Sequence, residues 1–185
     1  MNDLQHRPIE ELEAGMAAIL ESPKVAGTLN LIVRRPAVNV RETMADGQLD
    51  EVVGLVGDSW KERGSSRTPD GRANPNAQLT LMNSRAIAVI AGTPERWPLA
   101  GDQLYVDLDL SEANLPAGSQ LRIGETVVEI TAEPHTGCSS FKSRYGSAAV
   151  VFVNSPEGRA HRLRGVNARI ITGGKICVGD SVVKV

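Results

Sequence analysis

The chain has 185 residues, a formal net charge of −2 and an aromatic content of only 3%. This length suits one domain with a substantial core, and an apolar content of 41% is too high for a disordered chain. The low charge and the few rings argue against binding of nucleic acid. No apolar run approaches the ~20 residues of a membrane span, and the polar N-terminus lacks the pattern of a signal peptide. The expected compartment is therefore the cytoplasm.

The first element predicted is a short amphipathic helix. Apolar side chains recur at helical spacing from Ile9 to Leu20, with Pro8 suited to the first turn and Pro23 beyond the end. We interpret residues 1–26 as a helical extension that packs on a single domain of residues 27–185.

Extended segments and a long loop follow the helix. Strands are predicted at Thr28–Val40 and Leu49–Val56, with Asp46-Gly47 as a turn between them. Residues 61–78 contain no large apolar side chain but several Gly and Pro, which predicts a loop that is either functional or mobile. Basic side chains of this loop either face an anion or lie on a solvated surface; they are Lys61, Arg63, Arg67 and Arg72.

The second half reads as short strands separated by frequent turns. A strand is predicted at Leu79–Met82, followed by a helix that Asn83 caps and that runs to about Ala91. Residues 139–154 suit either a strand or a buried helix, and a helix is our prediction. Gly124-Glu125 is predicted as a tight turn. The other predicted strands are Gln103–Leu108, Gln120–Ile123, Thr126–Ala132, Val166–Ile171 and Ser181–Val185. The fold class is therefore mostly β with peripheral helices (α+β), as a barrel or a sandwich.

Cys138 is the main candidate for chemistry. It lies in the sequence PHTGCSSFK (residues 134–142), after a predicted strand and before the predicted helix. A helix N-terminus favours the thiolate, and His135, Lys142 and Arg144 are close enough in sequence to lower the thiol pKa further. A thiolate attacks sulfur, carries a persulfide or ligates a soft metal. The alternative is a small buried hydrophobic residue, which this stretch by itself favours slightly.

The remaining candidates are weaker. Cys177 alternates with apolar residues and is interpreted as a packing residue. A histidine such as His135 can act as a base or bind an anion, although a lone histidine in a turn is usually structural. Arg164 and Arg169 flank Gly165, and their guanidinium groups match a phosphate. The chain has no phosphate-binding glycine motif, no dinucleotide fingerprint, no serine elbow and no zinc signature.

Several short motifs are distributed from Gly27 to the C-terminus in a characteristic order. They are GLVGD (54–58), QLTLM (78–82), EANLPAG (112–118), LRIG (121–124), VEIT (128–131), the cysteine at 138, RGVNARI (164–170), GG (173–174) and GD (179–180). Together they resemble the MOSC family, the domain found at the C-terminal end of molybdenum cofactor sulfurases. Each motif is weak alone, and their order and spacing carry the resemblance.

The resemblance implies a β-barrel of the MOSC or pyruvate-kinase-barrel type and an association with the molybdenum cofactor. In this family the cysteine is thought to carry sulfur as a persulfide or to ligate molybdenum, which points to Cys138 here. Arg164, Arg169 and Lys142 are then expected to bind the cofactor, and the matched motifs add Asp58 and Asn114.

The chain departs from the family beside the cysteine. Many bacterial members have Pro-Arg-x-Pro-Cys, whereas this chain has His135 in place of the arginine and Gly137 in place of the proline. The same anion contact and the same substrate are therefore not implied. The chain also lacks a desulfurase domain, so that any sulfur on Cys138 has to come from a partner.

Three hypotheses follow. The first is a stand-alone protein that binds the molybdenum cofactor, carries sulfur on Cys138, or does both, supplied by a cysteine desulfurase. The second is a molybdenum-dependent reductase of N-hydroxylated compounds, in which Cys138 ligates the metal, His135 or Asp58 relays protons and a partner reductase donates electrons. The third is a non-catalytic small-ligand barrel whose thiols are packing residues.

Overall fold

The computed structural model describes residues 6–185. Its strands are β1 (Ala26–Arg34), β2 (Glu42–Met44), β3 (Asp46–Asp50), β4 (Gly54–Leu55), β5 (Leu79–Asn83), β6 (Leu104–Asp107), β7 (Gln120–Ile123), β8 (Thr126–Ile130), β9 (Val166–Thr172), β10 (Gly174–Cys177) and β11 (Ser181–Lys184). Its α-helices are α1 (Ile9–Ala14), α2 (Met16–Leu20), α3 (Trp60–Arg63), α4 (Ser84–Ala91), α5 (Ser139–Asn154) and α6 (Pro156–Ala160). Two 3₁₀ segments span Pro75–Ala77 and Pro94–Ala100.

Seven strands close into a barrel in the order β1-β11-β7-β8-β9-β5-β6, and β6 pairs with β1 to complete the ring. The β5–β6 pair is parallel and the others are antiparallel. Closure satisfies the strand edges that an open sheet would expose. The barrel with helices around it confirms the predicted fold class.

A small sheet of β10, β3 and β4 lies beside the barrel, and it overturns one prediction. Asp46-Gly47 is not a turn, because both residues lie in β3 and pair with Cys177 and Ile176 of β10. Gly47 is buried there, and a Cβ on it would lie 3.0 Å from the Leu55 side chain. Strand pairing and close packing have overridden the local turn preference of Asp-Gly.

Two predicted strands depart most from their expected bounds. The first ends at Arg34, since the backbone N–H of Arg35 donates to Asp58 Oδ2 (2.8 Å) instead of to a strand, and Pro36 follows. The second is broken at residues 51–53, where Asp50 Oδ1 accepts hydrogen bonds from the backbone N–H groups of Val52 and Val53. Aspartate side chains therefore set both interruptions, from 23 residues away at Arg35 and from two and three residues away at Val52 and Val53.

The core has two parts. Apolar side chains from the barrel strands fill the barrel interior, with Leu29, Leu81 and Val128 fully buried. A second cluster lies between the outer barrel wall and the helices, and it contains Leu12 and Phe141. The extension enters this cluster through α1 and α2, which Gly15 separates where the sequence predicted one helix. Residues 1–5 of the predicted extension lie outside the described residues.

The predicted helix after the candidate cysteine is confirmed as α5, with a kink at Gly146 (φ 87°, ψ 172°). The tight turn at Gly124-Glu125 is confirmed between β7 and β8, which pair antiparallel on either side of it. Within residues 6–185, no helix is long and apolar enough to cross a membrane.

The cap predicted at Asn83 is confirmed and offers a test of the fold. Asn83 Oδ1 accepts from the N–H groups of Arg85 (2.7 Å) and Ala86 (3.1 Å), while Nδ2 donates to Ser22 Oγ and Leu108 O. We expect Asn83→Ala to lower the free energy of unfolding by about 2 kcal/mol, because the cap is lost and buried partners stay unpaired.

Urea unfolding at neutral pH measures this loss. Asn74→Ala is the matched control: the Asn74 side chain caps only the 3₁₀ segment, where it accepts a hydrogen bond from Asn76 N (3.0 Å), so we expect a loss below about 1 kcal/mol. Equal losses in the two variants would show that the additional contacts of Asn83 do not stabilise the barrel.

Candidate functional site

Cys138 is the N-cap residue of α5 and lies on the surface. Its backbone is extended (φ −116°, ψ −179°), and its carbonyl accepts the first helical bond from Lys142 N (2.9 Å). The side chain of Asn154 bonds both the N–H and the carbonyl of Gly137, which ties the preceding turn to the far end of α5. The thiol is exposed, so Cys138 is not the small buried hydrophobic residue of the alternative interpretation.

Cys138 lies in the wall of an open cleft of about 470 Å³. His135 and Arg164 also line it, and the predicted loop 61–78 contributes Arg63 and Arg67 to the lining. We call this space the thiol cleft. Three of the residues predicted from the sequence are therefore brought together, and the long loop borders the site rather than extending into solvent.

An ion-pair network supports the wall of the thiol cleft. Asp102, which is fully buried, accepts from Arg164 Nη1 (2.5 Å) through one carboxylate oxygen and lies 2.7 Å from His135 Nε2 through the other. Arg164 also donates to Ala100 O (2.9 Å), and its guanidinium carbon lies 4.9 Å from the centre of the Phe141 ring. Its Nε is buried and has no hydrogen-bond partner among the described residues. Arg164 therefore bonds mainly to the protein and presents little free guanidinium to the cleft.

The network lowers the pKa of both Asp102 and His135. Burial raises the pKa of Asp102, but the charges of Arg164 and His135 outweigh it and hold that pKa far below its usual range. Burial and the nearby Arg164 lower the pKa of His135, and Asp102 only partly offsets them. His135 is consequently a neutral imidazole at neutral pH.

The fold brings together four arginines, of which Arg63 lines the thiol cleft; the sequence pointed to Arg63 and Arg144 but not to this convergence. We call Arg35, Arg41, Arg63 and Arg144 the arginine cluster. Burial lowers the pKa of Arg41, and the positive charges of Arg144, Arg35 and Arg63 lower it further. Partial desolvation and the charge of Arg35 lower the pKa of Arg63, which is exposed on one side, and Asp58 offsets part of this effect. Like charges this close are unfavourable unless an anion lies among them.

The members of the arginine cluster come from separate segments. Arg35 follows β1, Arg63 ends α3 and Arg144 lies in α5. Arg144 donates to Leu99 O (2.7 Å), and Arg35 donates to Gly101 O (2.9 Å). Gly101 has φ 88°, and a Cβ there would lie 3.5 Å from Arg41 Nη2. No single stretch of sequence shows this convergence, although Arg63 was noted in the loop and Arg144 beside Cys138.

Asp58 supports the arginine cluster rather than lining the thiol cleft. Its carboxylate accepts from the backbone N–H of Arg35, from Arg35 Nε and Nη2, and from Trp60 N. Asp58 is buried, and these four hydrogen bonds use both carboxylate oxygens. A direct contact with a cofactor, as the motif match implied, does not fit this position.

The other residues expected to bind the cofactor also lie away from the thiol cleft. Arg169 pairs across strands with Glu129 (2.7 Å), and its side chain is half-exposed on the outer side of the barrel. Asn114 donates to Lys24 O and Asp109 O, which fixes a loop at another place on the barrel. Lys142 is exposed on the first turn of α5 and does not line the cleft. Local sequence position did not reveal which way these side chains face.

The second thiol lies in a different sheet. Cys177 is half-exposed at the end of β10, and its backbone N–H donates to Asp180 Oδ2 (2.7 Å). It does not line the thiol cleft, so it provides a control for experiments on Cys138.

A family model described as the MOSC domain matches residues 71–183, which is more than half of the chain. The chain belongs to the MOSC family. The matched region contains Cys138, His135, Arg164 and Asp102, while the arginine cluster takes Arg35, Arg41 and Arg63 from outside it. No curated protein matches the sequence significantly.

Solved structures agree with the fold. The YuaD protein of Bacillus subtilis has a TM-score of 0.61 at 17% identity, over 85% of this MOSC chain and 94% of that one. YiiM of Escherichia coli has a TM-score of 0.54 at 19% identity, over 85% and 69% of the two chains. YiiM of Geobacillus stearothermophilus has a TM-score of 0.51 at 14% identity, over 89% and 74%. At these identities the likeness concerns the barrel and not the chemistry.

Proposed function

We propose that this MOSC protein binds a pterin-type molybdenum cofactor in the thiol cleft and that Cys138 either carries sulfur there as a persulfide or ligates the metal. The observation that supports this most directly is an exposed thiol in the wall of an open cleft that arginines also border. Soft sulfur and phosphate-matching guanidinium groups are the two donor types that a molybdenum–pterin phosphate needs from a protein.

The residues present fit such a cofactor. A cleft of about 470 Å³ lies within the ~300–1,000 Å³ range of ligand sites. Within residues 6–185, no group of three or more His, Cys, Asp or Glu side chains could hold a metal ion, so molybdenum would be held through the pterin, with Cys138 as the protein ligand. When bound, the cofactor would supply a redox-active metal.

The protein's own contribution is positioning. The arginine cluster has a surplus of positive charge, because the Asp58 carboxylate pairs with Arg35 alone and Asp102 is used by Arg164 and His135. A phosphate among Arg41, Arg63 and Arg144 would neutralise that surplus and orient the cofactor toward Cys138.

The exposure of Cys138 suits transfer from a cysteine desulfurase. The thiolate of Cys138 attacks the outer sulfur of a donor persulfide, a new S–S bond forms, and the donor cysteine leaves as a thiolate. In this reaction the attacking sulfur has to approach along the axis of the S–S bond that breaks. A buried thiol could not make that approach. The exposed position at the start of α5 allows that approach.

Metal analysis tests the binding proposal. Protein purified from cells that make the cofactor should contain molybdenum and pterin in near-stoichiometric amounts. Because Cys138 would be the protein ligand, we expect Cys138→Ser to reduce the molybdenum content at least about tenfold. Cys177→Ser, the matched control, should keep the wild-type content. Absence of both molybdenum and pterin from the wild type would refute cofactor binding.

Mass spectrometry tests the carrier role separately. After incubation with a cysteine desulfurase and cysteine, one sulfur atom should add to Cys138 in the wild type and in Cys177→Ser, but not in Cys138→Ser. If cofactor is present but no sulfur adds, the hypothesis of a reductase of N-hydroxylated compounds replaces that of a sulfur carrier. The next measurement is then whether the cofactor-loaded protein, with an electron-donating partner, reduces an N-hydroxylated base. If both tests fail, the non-catalytic ligand barrel remains.

A further inference from the structure

Asp102 joins two side chains that come from distant parts of the chain. It follows Gly101 at the start of the segment that leads into β6, and its side chain is fully buried. One carboxylate oxygen bonds Arg164 and the other bonds His135, which lie 62 and 33 residues away in the sequence. Because each carboxylate oxygen bonds a different side chain, the carboxylate has a single orientation.

This orientation decides which ring nitrogen of His135 carries the proton. Asp102 is ionised, because Arg164 and His135 hold its pKa far below the usual range, so it can only accept a hydrogen bond. His135 Nε2, 2.7 Å from Asp102 Oδ1, must therefore be the protonated nitrogen. In a neutral imidazole the other nitrogen, Nδ1, then has a free lone pair and acts as an acceptor.

The charges around His135 keep the ring neutral. Arg164 and Arg35 face it with positive charge and oppose a second proton, and burial acts in the same direction. Asp102 is the negative group that acts on it in favour of the imidazolium form. The net effect lowers the pKa of His135, so that the Nδ1 lone pair is present at neutral pH.

The Nδ1 atom is free to meet a ligand. His135 is 17% exposed, and no hydrogen bond to its Nδ1 occurs among the described residues. The ring also lies in the wall of two cavities, the thiol cleft and a neighbouring cavity of about 390 Å³. A buried acceptor left without a partner would be unfavourable, whereas an acceptor at a cavity wall bonds water or a ligand.

We infer that Asp102 is a positioning residue that fixes His135 as the Nε2–H tautomer. The Nδ1 atom of His135 is then the acceptor by which the thiol cleft selects ligands with an N–H donor. A pterin ring carries such donors in its amide and amino groups. The choice of a pterin rests on the proposed function, while the tautomer and the free acceptor rest only on the geometry of Asp102, Arg164 and His135.

This role differs from simple anchoring of the segment that carries Cys138. An anchor requires only that the Asp102–His135 bond exists, and it predicts nothing about a ligand at Nδ1. Gly165 approaches the same ring, since a Cβ on it would lie 3.3 Å from His135 Cδ2, and its φ of 104° favours glycine. The His135 ring is thus held on one side by the backbone of Gly165 and at Nε2 by the hydrogen bond to Asp102.

Nitrogen-15 NMR of the histidine-labelled full chain tests the inference at neutral pH. The signals of His135 are those absent from His135→Gln, because His6 and His161 are the other histidines. We expect the Nε2–H tautomer as the dominant species in the cofactor-free wild type. We expect hydroxymethylpterin to move the Nδ1 resonance toward the protonated range. The pteridine 1,3-dimethyllumazine, whose two ring N–H groups are methylated, should leave that resonance in place.

Each outcome decides the inference. A dominant Nδ1–H tautomer, an unmoved Nδ1 resonance with the pterin, or equal shifts with both compounds would overturn it. In Asp102→Asn the amide can donate as well as accept, so the tautomer preference should be lost; the wild-type spectra decide if this variant does not fold. Molybdenum and pterin content is measured independently, so failure of the proposed function is distinguishable from failure of this inference.

Discussion

Asp102→Asn should lower the free energy of unfolding by about 3–5 kcal/mol at neutral pH, because it removes one partner of a buried ion pair. The side chain of Arg164 is only 7% exposed, and Asp102 is its carboxylate partner. Without that charge, Arg164 stays buried beside an uncharged amide, and the bond to His135 weakens as well. Urea unfolding of the two proteins measures the difference.

A matched control separates this effect from the general loss of an ion pair. Asp107 pairs with Arg85 (2.7 Å), but both side chains are about one-third exposed. Water and salt screen such a pair, so Asp107→Asn should change the free energy of unfolding by less than about 1 kcal/mol. Similar losses at the two positions would contradict the central role assigned to burial of Asp102.

The same network makes stability depend on pH, and the sign follows from the pKa shifts. Asp102 has a lowered pKa in the folded state, so its contribution is complete above the unfolded value near ~3.9 and is lost as the pH falls further. His135 is held neutral with a lowered pKa, so the folded state loses stability as the pH falls below the unfolded value of ~6.5. Both groups therefore weaken the fold on acidification.

These two contributions are separable by substitution. Between about pH 6.5 and 4, wild type should lose stability and His135→Gln should lose less, because glutamine does not titrate. Below about pH 4, Asp102→Asn should show a smaller further loss than wild type. Identical pH profiles for wild type and both variants would show that the network does not titrate as the geometry requires.

The parts of the structure that follow from local sequence were predictable. Asn83 caps α4 with backbone groups two and three residues away, and Gly124 turns β7 into β8 over two residues. Turn and cap chemistry depends on neighbours in the chain, so a single sequence shows it. The placement of Cys138 at the start of α5 belongs to this class, because the glycine before it and the helix after it are both local.

The parts that depend on long-range contacts were not predictable from these patterns. Asp102 stands in an ordinary Gly-Asp pair, and only the fold brings it to Arg164 and His135. Asp46-Gly47 has the local signature of a turn, but β10 pairs with it from the other end of the chain. A family motif also marks Asp58 without showing that Arg35 occupies its carboxylate. Motifs therefore located residues near the site but not the directions of their side chains.

Removal of positive charge from the arginine cluster should weaken anion binding without lowering the free energy of unfolding. Arg41 and Arg63 form no ion pair with a carboxylate among the described residues, and the charges that act on Arg41 are mainly positive. Each charge-assisted hydrogen bond to a phosphate contributes about 1.5–3 kcal/mol, so the double variant Arg41→Gln, Arg63→Gln should bind pyrophosphate at least about a hundredfold more weakly. Titration calorimetry at low salt measures this affinity.

The stability of that double variant should stay within about 0.5 kcal/mol of wild type or rise, because removal of like charges relieves repulsion. Arg72→Gln, Arg122→Gln is the matched control: it removes the same charge from exposed positions outside both the thiol cleft and the arginine cluster, so both affinity and stability should be nearly unchanged. A loss of stability with unchanged pyrophosphate affinity would make Arg41 and Arg63 structural. Arg164, whose charge is paired and buried, is the structural arginine that the geometry predicts, and Arg41 and Arg63 are those left for a ligand.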